Sequence, residues 1–433
     1  MLPRVAVVGS GISGLAVGYH LADCAHVTLF EANDYFGGHT HTVDVQVDTP
    51  SGKVSHGVDT GFLVFNERTY PQLIKLFATL GVKTAVSDMS FSVQVPNLGL
   101  EWSGSDLNSV FAQRRNLVKP AFWGMLSEIV RFNRLATALA GAEEPPPVEL
   151  SIQGFLDQHG FGTAFRDWYF LPMIGSIWSC PTAQMLQFPV ATMIRFCHNH
   201  GLLQVSQRPR WFTVAGGARH YVEKMLAHIP DARLNTPVRQ IRRLANGNVL
   251  VITDSGSALF DQVVLACHSD QALRLLADPT EEERGVLGAI RYHSNRAVLH
   301  TDVSVLPRNR RAWAAWNYER ATDGAREEGS VCLHYLINRL QPLPFKTPVV
   351  VSLNPVIQPR EDLIQGVFDY MHPVFDAAAI AAQEQVKDLQ GRRQTWFCGA
   401  WTRYGFHEDG LMSGLSVARA LRPLCTQPYP EVA

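Results

Sequence analysis

Residues Gly9–Glu31, GSGISGLAVGYHLADCAHVTLFE, decide the fold of this chain. An apolar run precedes the glycines and a second apolar run closes the stretch, so the pattern predicts a strand, a helix and a second strand. Gly9 allows a tight turn, Gly11 lets a pyrophosphate approach the backbone, and Gly14 lets the helix pack on the sheet. The helix N-terminus attracts phosphates, and Glu31 can accept the hydroxyls of an adenosine ribose. The stretch therefore predicts a dinucleotide site.

A second glycine turn separates the two common dinucleotides. Gly37 and Gly38 follow Glu31 after six residues. A glycine pair at this distance lets the backbone pass close to the ligand a second time, which an extended dinucleotide lying across the fold requires. The pattern favours FAD over NAD as the cofactor.

Several further segments carry a family resemblance. Together with the glycine turns, GVDTGFLVF (57–65) and FCGAWTRYGFHEDGLMSGL (397–415) resemble the flavin-containing amine oxidase superfamily, which includes monoamine oxidases, protoporphyrinogen oxidase and carotenoid desaturases. Four other segments resemble a bacterial branch of predicted FAD-binding oxidoreductases, to which the N-terminal part of plant cyclopropane fatty acid synthases is related. They are GSIWSCP (175–181), AWNYE (315–319), INRLQPLP (337–344) and DYMHPVFD (369–376).

The resemblance implies an α/β fold, with an FAD-binding Rossmann-like domain of the amine oxidase type and a discontinuous α+β substrate domain. We assign 1–85, 205–290 and 391–433 to the FAD-binding domain, and 86–204 and 291–390 to the substrate domain. Substrate is then expected at the seam between them. The cofactor contacts implied by the resemblance come from Gly9, Gly11, Ser13, Gly14, Glu31, Gly37, Gly38, His39, Val238, Gly399, Glu408, Asp409 and Gly410.

Histidines occupy two positions where the superfamily usually has other residues. His39, with His41 close behind it, follows the Gly-Gly pair where arginine is usual, and His407 lies at the aromatic cage position of monoamine oxidases. An imidazole can exchange protons near neutral pH, which an arginine cannot. We predict His39, His41, His407 and Tyr404 as catalytic residues. A purely structural role for His39 and His41, hydrogen-bonded in a turn or to the flavin, stands open beside this prediction.

Three functions are consistent with these motifs. The first is an FAD-dependent oxidoreductase that dehydrogenates an apolar substrate, such as a fatty acyl chain, by hydride transfer to flavin N5. The second is an amine or amino acid oxidase, and the third is a non-catalytic flavin-bound subunit. The absence of the usual arginine and of the cage aromatic favours the first, with a small molecule or a lipid as substrate.

The composition limits the classes of partner that the chain is expected to bind. The chain has 433 residues, 46% of them hydrophobic, and a net charge of −1, so no electrostatic footprint for nucleic acid is present. No signal peptide or spanning apolar stretch is evident, and the seven scattered cysteines are typical of a reducing cytosol. We therefore predict a cytoplasmic protein without a metal, of unknown oligomeric state. His198 and His200 lack a ligand set, and His334 and His372 are predicted as structural histidines.

One segment raises the alternative of peripheral contact with the inner face of the membrane. Residues 113–135, QRRNLVKPAFWGMLSEIVRFNRL, place basic side chains around aromatic and apolar ones. Such a pattern can seat a helix at an anionic lipid surface, although an ordinary amphipathic helix has the same pattern and is favoured. Aromatic residues that could line an apolar tunnel, but that are more typical of core, are Trp178, Trp313, Trp316, Tyr318, Tyr335 and Trp401.

Periodicity and turn signals predict the remaining elements. They are helices near 69–80, within 105–140 and 151–200, in 216–229 and near 374–389; a proline-rich loop at 143–147; a β-meander over 237–267; strands at 331–336, 348–353 and 395–398; and a last helix from about Leu411.

Overall fold

The computed structural model describes residues 2–50, 52–142, 146–147, 149–204, 208–321 and 331–426. The loop predicted at 143–147 lies mostly outside these residues. Helices are Ile12–Leu21, Pro71–Leu80, Leu107–Val110, Pro120–Ala140, Ile152–Gln158, Thr163–Phe165, Leu171–Trp178, Thr182–Met185, Val190–Asn199, Arg219–Leu226, Ser269–Leu275, Glu281–Gly288, Ile337–Leu340, Ala377–Leu389 and His407–Thr426.

A five-stranded parallel sheet, here called the cofactor sheet, contains the first strand of the chain. Its strands, in order across the sheet, are Asp231–Arg233, His26–Phe30, Arg4–Val8, Gln262–Leu265 and Thr395–Phe397. All five come from the segments assigned above to the FAD-binding domain. Two helices, Ile12–Leu21 and His407–Thr426, pack together on one face, and helix Ala377–Leu389 covers the other. Burial on both faces explains why these strands are continuous apolar runs.

The predicted β-meander is one strand too long. Three strands form an antiparallel sheet, Val238–Arg243, Val249–Thr253 and Gly256–Phe260. The next strand, Gln262–Leu265, leaves the meander and pairs in parallel with Arg4–Val8 in the cofactor sheet. Its Val263, Val264 and Leu265 are fully buried, as the centre of a parallel sheet requires.

A seven-stranded sheet, here called the large sheet, is built from the two segments assigned to the substrate domain. Its order is Ile364–Val374, Arg291–His300, Val350–Leu353, Cys332–Leu336, Trp316–Glu319, Phe91–Val95 and Leu100–Ser103. Two smaller sheets join Thr42–Thr49 to Gly52–Asp59, and Trp211–Val214 to both Phe65–Asn66 and Thr84–Ser87. Helices between residues 120 and 199 form a separate apolar cluster beside the large sheet.

Two helix boundaries differ from the sequence pattern. The pattern over 105–140 is split into Leu107–Val110, a 3-10 turn at Arg114–Val118 and Pro120–Ala140, because proline is accommodated best in the first turn of a helix. The last helix begins at His407 rather than near Leu411. The N–H of Phe406 donates to the Asp409 carboxylate at 3.0 Å, which fixes the first turn at the earlier position.

All seven cysteines are free thiols, and six of them are buried. Among the residues that the structure describes, no helix is long and apolar enough to cross a membrane.

Candidate functional site

The first glycine turn has the close approach that the motif predicts. Gly9 has a φ of +103, in the region that favours glycine, and a Cβ on Gly14 would lie 1.9 Å from the carbonyl oxygen of Gly9. A Cβ on Gly11, by contrast, would meet nothing within 4 Å. Gly14 is therefore required by the packing of the chain itself, whereas the space beside Gly11 is open to a ligand.

The helix that follows begins with free donors. Helix Ile12–Leu21 has no side-chain cap from the described residues and no acidic residue in its first turn. Its first intrahelical hydrogen bond runs from Leu15 N–H to the Gly11 carbonyl at 3.0 Å, so the N–H groups before Leu15 are available. With the helix dipole behind them, these donors form an anion site beside Gly11.

Glu31 joins the two glycine turns. Its buried carboxylate accepts hydrogen bonds from the Ser10 N–H at 3.0 Å, the Ser10 hydroxyl at 2.5 Å and the Asn33 N–H at 2.9 Å. The Gly37 N–H in turn donates to the Ser10 hydroxyl at 3.0 Å. The contact of Glu31 with a ribose stays a prediction, and the structure adds that Glu31 also orders the turns around the cofactor.

A cluster of imidazoles and one phenol follows the second turn. The ring centroid of His39 lies 5.3 Å from that of His372, 5.2 Å from Tyr370 and 6.2 Å from His268. The His39 Nε2 atom is enclosed and has no hydrogen-bond partner among the described residues. A buried nitrogen without a partner at a glycine turn indicates that a polar ligand atom belongs next to it.

Burial makes these imidazoles weak bases. Burial first, and then the neighbouring His372, His268 and His407, hold the pKa of His39 well below its usual value. Burial also lowers the pKa of His372 to about 4 and that of His407 to about 3. The rings are therefore uncharged near neutral pH. For His39 this favours the alternative of a hydrogen-bonding role over the predicted proton exchange near neutral pH.

His41 has a different environment. Its Nδ1 lies 2.9 Å from the Tyr370 hydroxyl, which is 2.6 Å from the Thr60 hydroxyl. The ring stacks on Tyr35 with a centroid distance of 4.0 Å. Burial lowers the pKa of His41, and the nearby Asp34 opposes that effect. Of the predicted bases, His41 is thus the one whose ring nitrogen is hydrogen-bonded to a chain of two hydroxyl groups, those of Tyr370 and Thr60.

His407 and Tyr404 lie in different surroundings, although three residues separate them. His407 Nε2 is 2.7 Å from the Tyr221 hydroxyl, and its ring stacks on Phe62 at 3.8 Å. Tyr404 lines a cavity described below. The structure does not bring Tyr404 into hydrogen-bond contact with His39, His41 or His407 among the contacts of the described residues.

The two carboxylates of the C-terminal motif already accept hydrogen bonds from backbone N–H groups of the chain. Glu408 accepts the N–H groups of Gln72 at 2.8 Å and Leu73 at 2.9 Å, so it caps helix Pro71–Leu80. Asp409 caps its own helix through Phe406. The contacts of Glu408 and Asp409 with the cofactor stay a prediction, and the backbone N–H groups at the start of this helix are further candidates for such a contact.

The other glycines of the motif serve close packing. A Cβ on Gly410 would lie 2.8 Å from a methyl of Ile12 and 3.2 Å from the Ser13 hydroxyl, and one on Gly399 would lie 2.3 Å from the indole nitrogen of Trp401. The predicted adenine contact, Val238, begins a strand at a register shift opposite Thr253. Its contact with the cofactor stays a prediction.

A cavity of about 340 Å³ is lined by residues close in sequence to two members of the imidazole cluster, although none of the imidazoles themselves lines it. Phe375, in its wall, follows His372 by three residues, and Tyr404 precedes His407 by three. Arg195 and Arg403 belong to its lining together with the carboxylate of Glu384, and neither arginine is in an ion pair among the described residues. The lining consists of Trp178, Phe188, Thr192, Met193, Arg195, Phe375, Ile380, Gln383, Glu384, Thr402, Arg403 and Tyr404. Of the tunnel candidates only Trp178 lines it; Tyr318, Tyr335 and Trp401 are core.

One buried group has the residue types of a metal site. Glu319, Cys332 and His334 lie together, with His334 Nε2 at 3.0 Å from Glu319 Oε2. The Asp302 N–H donates to His300 Nδ1, which leaves the proton of His300 on Nε2, 2.7 Å from the Ser352 hydroxyl. Ser352 then donates to His334 Nδ1 at 2.7 Å, so His334 donates Nε2–H to Glu319. We interpret the group as a directed hydrogen-bond chain, in which Nε2 is occupied by its proton.

Comparison with known proteins identifies the family. The family described as flavin containing amine oxidoreductase matches residues 12–328. The chain belongs to this family. Its cofactor is FAD, and the open space at Gly11, the uncapped helix and the partnerless nitrogen of His39 all fit that group.

Curated relatives and solved structures are more distant. The chain is 28% identical over 298 residues to a carotenoid phi-ring synthase of Streptomyces griseus, covering 64% of this chain and 55% of that protein. It is 24% identical over 267 residues to a probable polyamine oxidase 4 of Arabidopsis thaliana, covering 61% and 50%. The chain thus spans about half the length of the curated relatives it matches.

Two solved structures show the same fold over nearly the whole chain. A fatty acid isomerase from P. acnes matches with a TM-score of 0.65 at 16% identity, covering 96% of this chain and 98% of that one. Cyclohexylamine oxidase from Brevibacterium oxydans matches with a TM-score of 0.66 at 15% identity, covering 99% and 100%. The α/β fold predicted from the sequence is confirmed.

Sequence reasoning missed part of the site. His268, Tyr370 and Tyr221 were not among the predicted site residues, although each contacts one that was. His268 follows the carboxyl end of strand Gln262–Leu265, the edge at which parallel sheets bind ligands, and this position is a signal that the sequence contains. Tyr221 gives no comparable signal, since it lies inside an ordinary helix.

Proposed function

We propose that this flavin-containing oxidoreductase dehydrogenates an apolar substrate with an anionic end, such as a fatty acyl chain. The observation that carries the proposal is the cavity lined by residues 178–195, 375–384 and 402–404. Its volume falls in the range of small-molecule sites, and aromatic and aliphatic side chains form much of its wall. Arg195 and Arg403, in the lining of the cavity, can bind a carboxylate or phosphate and would repel an ammonium group. Glu384 is the one carboxylate in the lining.

Relatives that act on hydrocarbon substrates support this choice. A carotenoid phi-ring synthase and a fatty acid isomerase are named for long apolar molecules. Other relatives are named for amines, among them a polyamine oxidase and cyclohexylamine oxidase. Arg195 and Arg403 of the cavity favour long apolar substrates over amines for this chain.

The chain's own residues have defined tasks in such a reaction. Bound FAD would supply the acceptor for a hydride from one carbon of the substrate, and a base of the protein would take the proton from the adjacent carbon, leaving a double bond. His41 Nδ1 can receive that proton and share it with Tyr370 and Thr60. The aromatic and aliphatic side chains of the cavity would limit the access of water, and His39 would hold a polar atom of the cofactor through Nε2.

Anaerobic mixing with a long-chain fatty acid or a phospholipid is expected to bleach the flavin absorbance, while primary and secondary amines leave it unchanged. The free acid should bind about ten-fold more tightly than its methyl ester, because each charge-assisted hydrogen bond contributes about 1.5–3 kcal/mol. Arg403→Gln should remove most of that preference. Stopped-flow absorbance measures both effects, with Arg284→Gln as an exposed arginine control. Rapid bleaching by simple amines with inert lipids would favour the amine oxidase function instead.

His41→Ala is expected to slow flavin reduction by the authentic substrate about 10²-fold, because a positioned base typically contributes 10²–10⁴-fold. His39→Ala should instead weaken FAD retention, since its enclosed Nε2 follows the second glycine turn and has no partner among the described residues, and burial holds its pKa well below the usual value. Single-turnover reduction rates across neutral pH and FAD content after dialysis separate the two effects. Wild-type reduction rates in both variants would show that neither imidazole is the base.

A further inference from the structure

We infer that a basic, apolar face around residues 107–123 and 308–311 docks the protein on an anionic lipid bilayer. The observation behind it is independent of the reaction proposed above. Four large apolar side chains are strongly exposed there: Leu107 at 78%, Leu117 at 46%, Val118 at 82% and Trp123 at 49%. Exposed apolar side chains are normal singly, whereas a contiguous group marks an interaction surface.

Contacts between the segments that carry these side chains bring the segments together. The N–H of Phe111 donates to the Leu107 carbonyl at 3.1 Å, and the ring of Phe111 lies 5.3 Å from that of Trp123. The Trp123 indole N–H donates to the Leu117 carbonyl at 2.9 Å, so the ring is held against the turn that carries Val118. The apolar tips are therefore presented together by a short helix, a 3-10 turn and the start of helix Pro120–Ala140.

A basic rim comes from two distant parts of the sequence. The buried Glu101 accepts the N–H groups of Arg308 at 3.0 Å and Asn309 at 2.9 Å, and Asn309 donates to the Ala112 carbonyl at 2.6 Å. These bonds fasten the turn Arg310–Ala312 beside helix Leu107–Val110. Only three of the six basic residues of this rim, Arg114, Arg115 and Lys119, lie within the stretch 113–135.

Charge on this face is one-sided. The cations of the rim are Arg114, Arg115, Lys119, Arg308, Arg310 and Arg311. In the described part of the chain, no carboxylate lies within ion-pairing distance of any of them; Arg114 and Arg115 donate to carbonyl and amide oxygens instead. Asp106 and Glu101 are the acids of this face, and both accept backbone N–H groups. The whole chain has a net charge of −1, so the excess of cations on this face is not a property of the chain as a whole.

This combination fits an anionic membrane better than a protein or a nucleic acid. Each basic side chain near an anionic bilayer contributes to binding, and Trp and aliphatic tips insert at the headgroup boundary. Nucleic acid would use the cations and leave Leu107 and Val118 in water. A second copy of this chain would bring two basic rims together at low salt, which is unfavourable.

Co-sedimentation of the full-length, FAD-loaded protein with vesicles tests the inference. We expect binding to phosphatidylglycerol-containing vesicles and little binding to pure phosphatidylcholine, with affinity falling as salt screens the charges. Leu107→Glu with Val118→Glu, and separately Arg310→Glu with Arg311→Glu, should each weaken binding about ten-fold or more. Ile357→Glu and Arg284→Glu, exposed positions outside the face, are the matched controls and should bind as the wild type does.

Flavin absorbance and the thermal unfolding midpoint of every variant report the fold. The inference is overturned if the wild-type protein does not bind anionic vesicles. It is also overturned if only the Arg310→Glu, Arg311→Glu variant loses vesicle binding and RNA displaces the wild-type protein from the vesicles completely. It is also overturned if light scattering shows a dimer that the Leu107→Glu, Val118→Glu variant dissociates, since the face would then join two copies of the chain.

Discussion

Gly11→Val is expected to abolish FAD binding and to leave the fold of the protein intact. A Cβ at this position meets no atom of the chain within 4 Å, and the backbone φ of −59 is accessible to valine. The added methyl groups would occupy the space where the motif places the pyrophosphate. We expect FAD affinity to fall at least 100-fold, about 2.7 kcal/mol, with the unfolding free energy of the cofactor-free protein changed by less than about 0.5 kcal/mol.

Gly14→Ala provides the opposite outcome as a control. Its Cβ would lie 1.9 Å from the Gly9 carbonyl oxygen, so the helix must move away from the turn. The cofactor-free protein should lose at least about 1–3 kcal/mol of stability, as overpacked cores do. Titration with FAD and thermal unfolding of the apoprotein measure both variants. A Gly11→Val protein that stays yellow would contradict the assignment of this turn to the pyrophosphate.

Glu31→Ala is expected to lose FAD and to loosen both glycine turns. The substitution removes the acceptor for the N–H groups of Ser10 and Asn33 and for the Ser10 hydroxyl, which itself accepts the Gly37 N–H. Hydrogen bonds to a charged group contribute about 1.5–3 kcal/mol each, so a loss of FAD affinity of more than about 100-fold is expected even if one bond is replaced by water.

The control for Glu31→Ala is the same substitution at a carboxylate with few contacts. Glu223 is 63% exposed and lies 3.4 Å from His220, so Glu223→Ala should bind FAD as the wild type does. Calorimetric titration of the two apoproteins with FAD gives the affinities. Hydrogen exchange at Ser10 and Gly37 reports whether the turns open. Equal affinities for Glu31→Ala and Glu223→Ala would show that Glu31 neither binds nor orders the cofactor.

The sequence by itself determined the cofactor half of this protein. The spacing of glycines, apolar runs and Glu31 is a local pattern, and the turn, helix packing and anion site follow from the geometry of residues close in sequence. The strands of the two main sheets come from the segments assigned to the two domains, whereas helix Ala377–Leu389, assigned to the substrate domain, packs on the cofactor sheet. These features could be predicted because backbone conformation and side-chain periodicity determine them.

Only the tertiary structure determined which side chains come together near the predicted cofactor site and how deeply they are buried. Residues 39, 268, 372 and 407 are far apart in sequence, so their approach, and the burial that lowers the pKa of His39, had no local signal. The same holds for Glu408, which caps a helix more than three hundred residues away. Long-range packing sets which partners a polar side chain has and how much water it loses, and those two quantities, rather than residue type, determine what it can do.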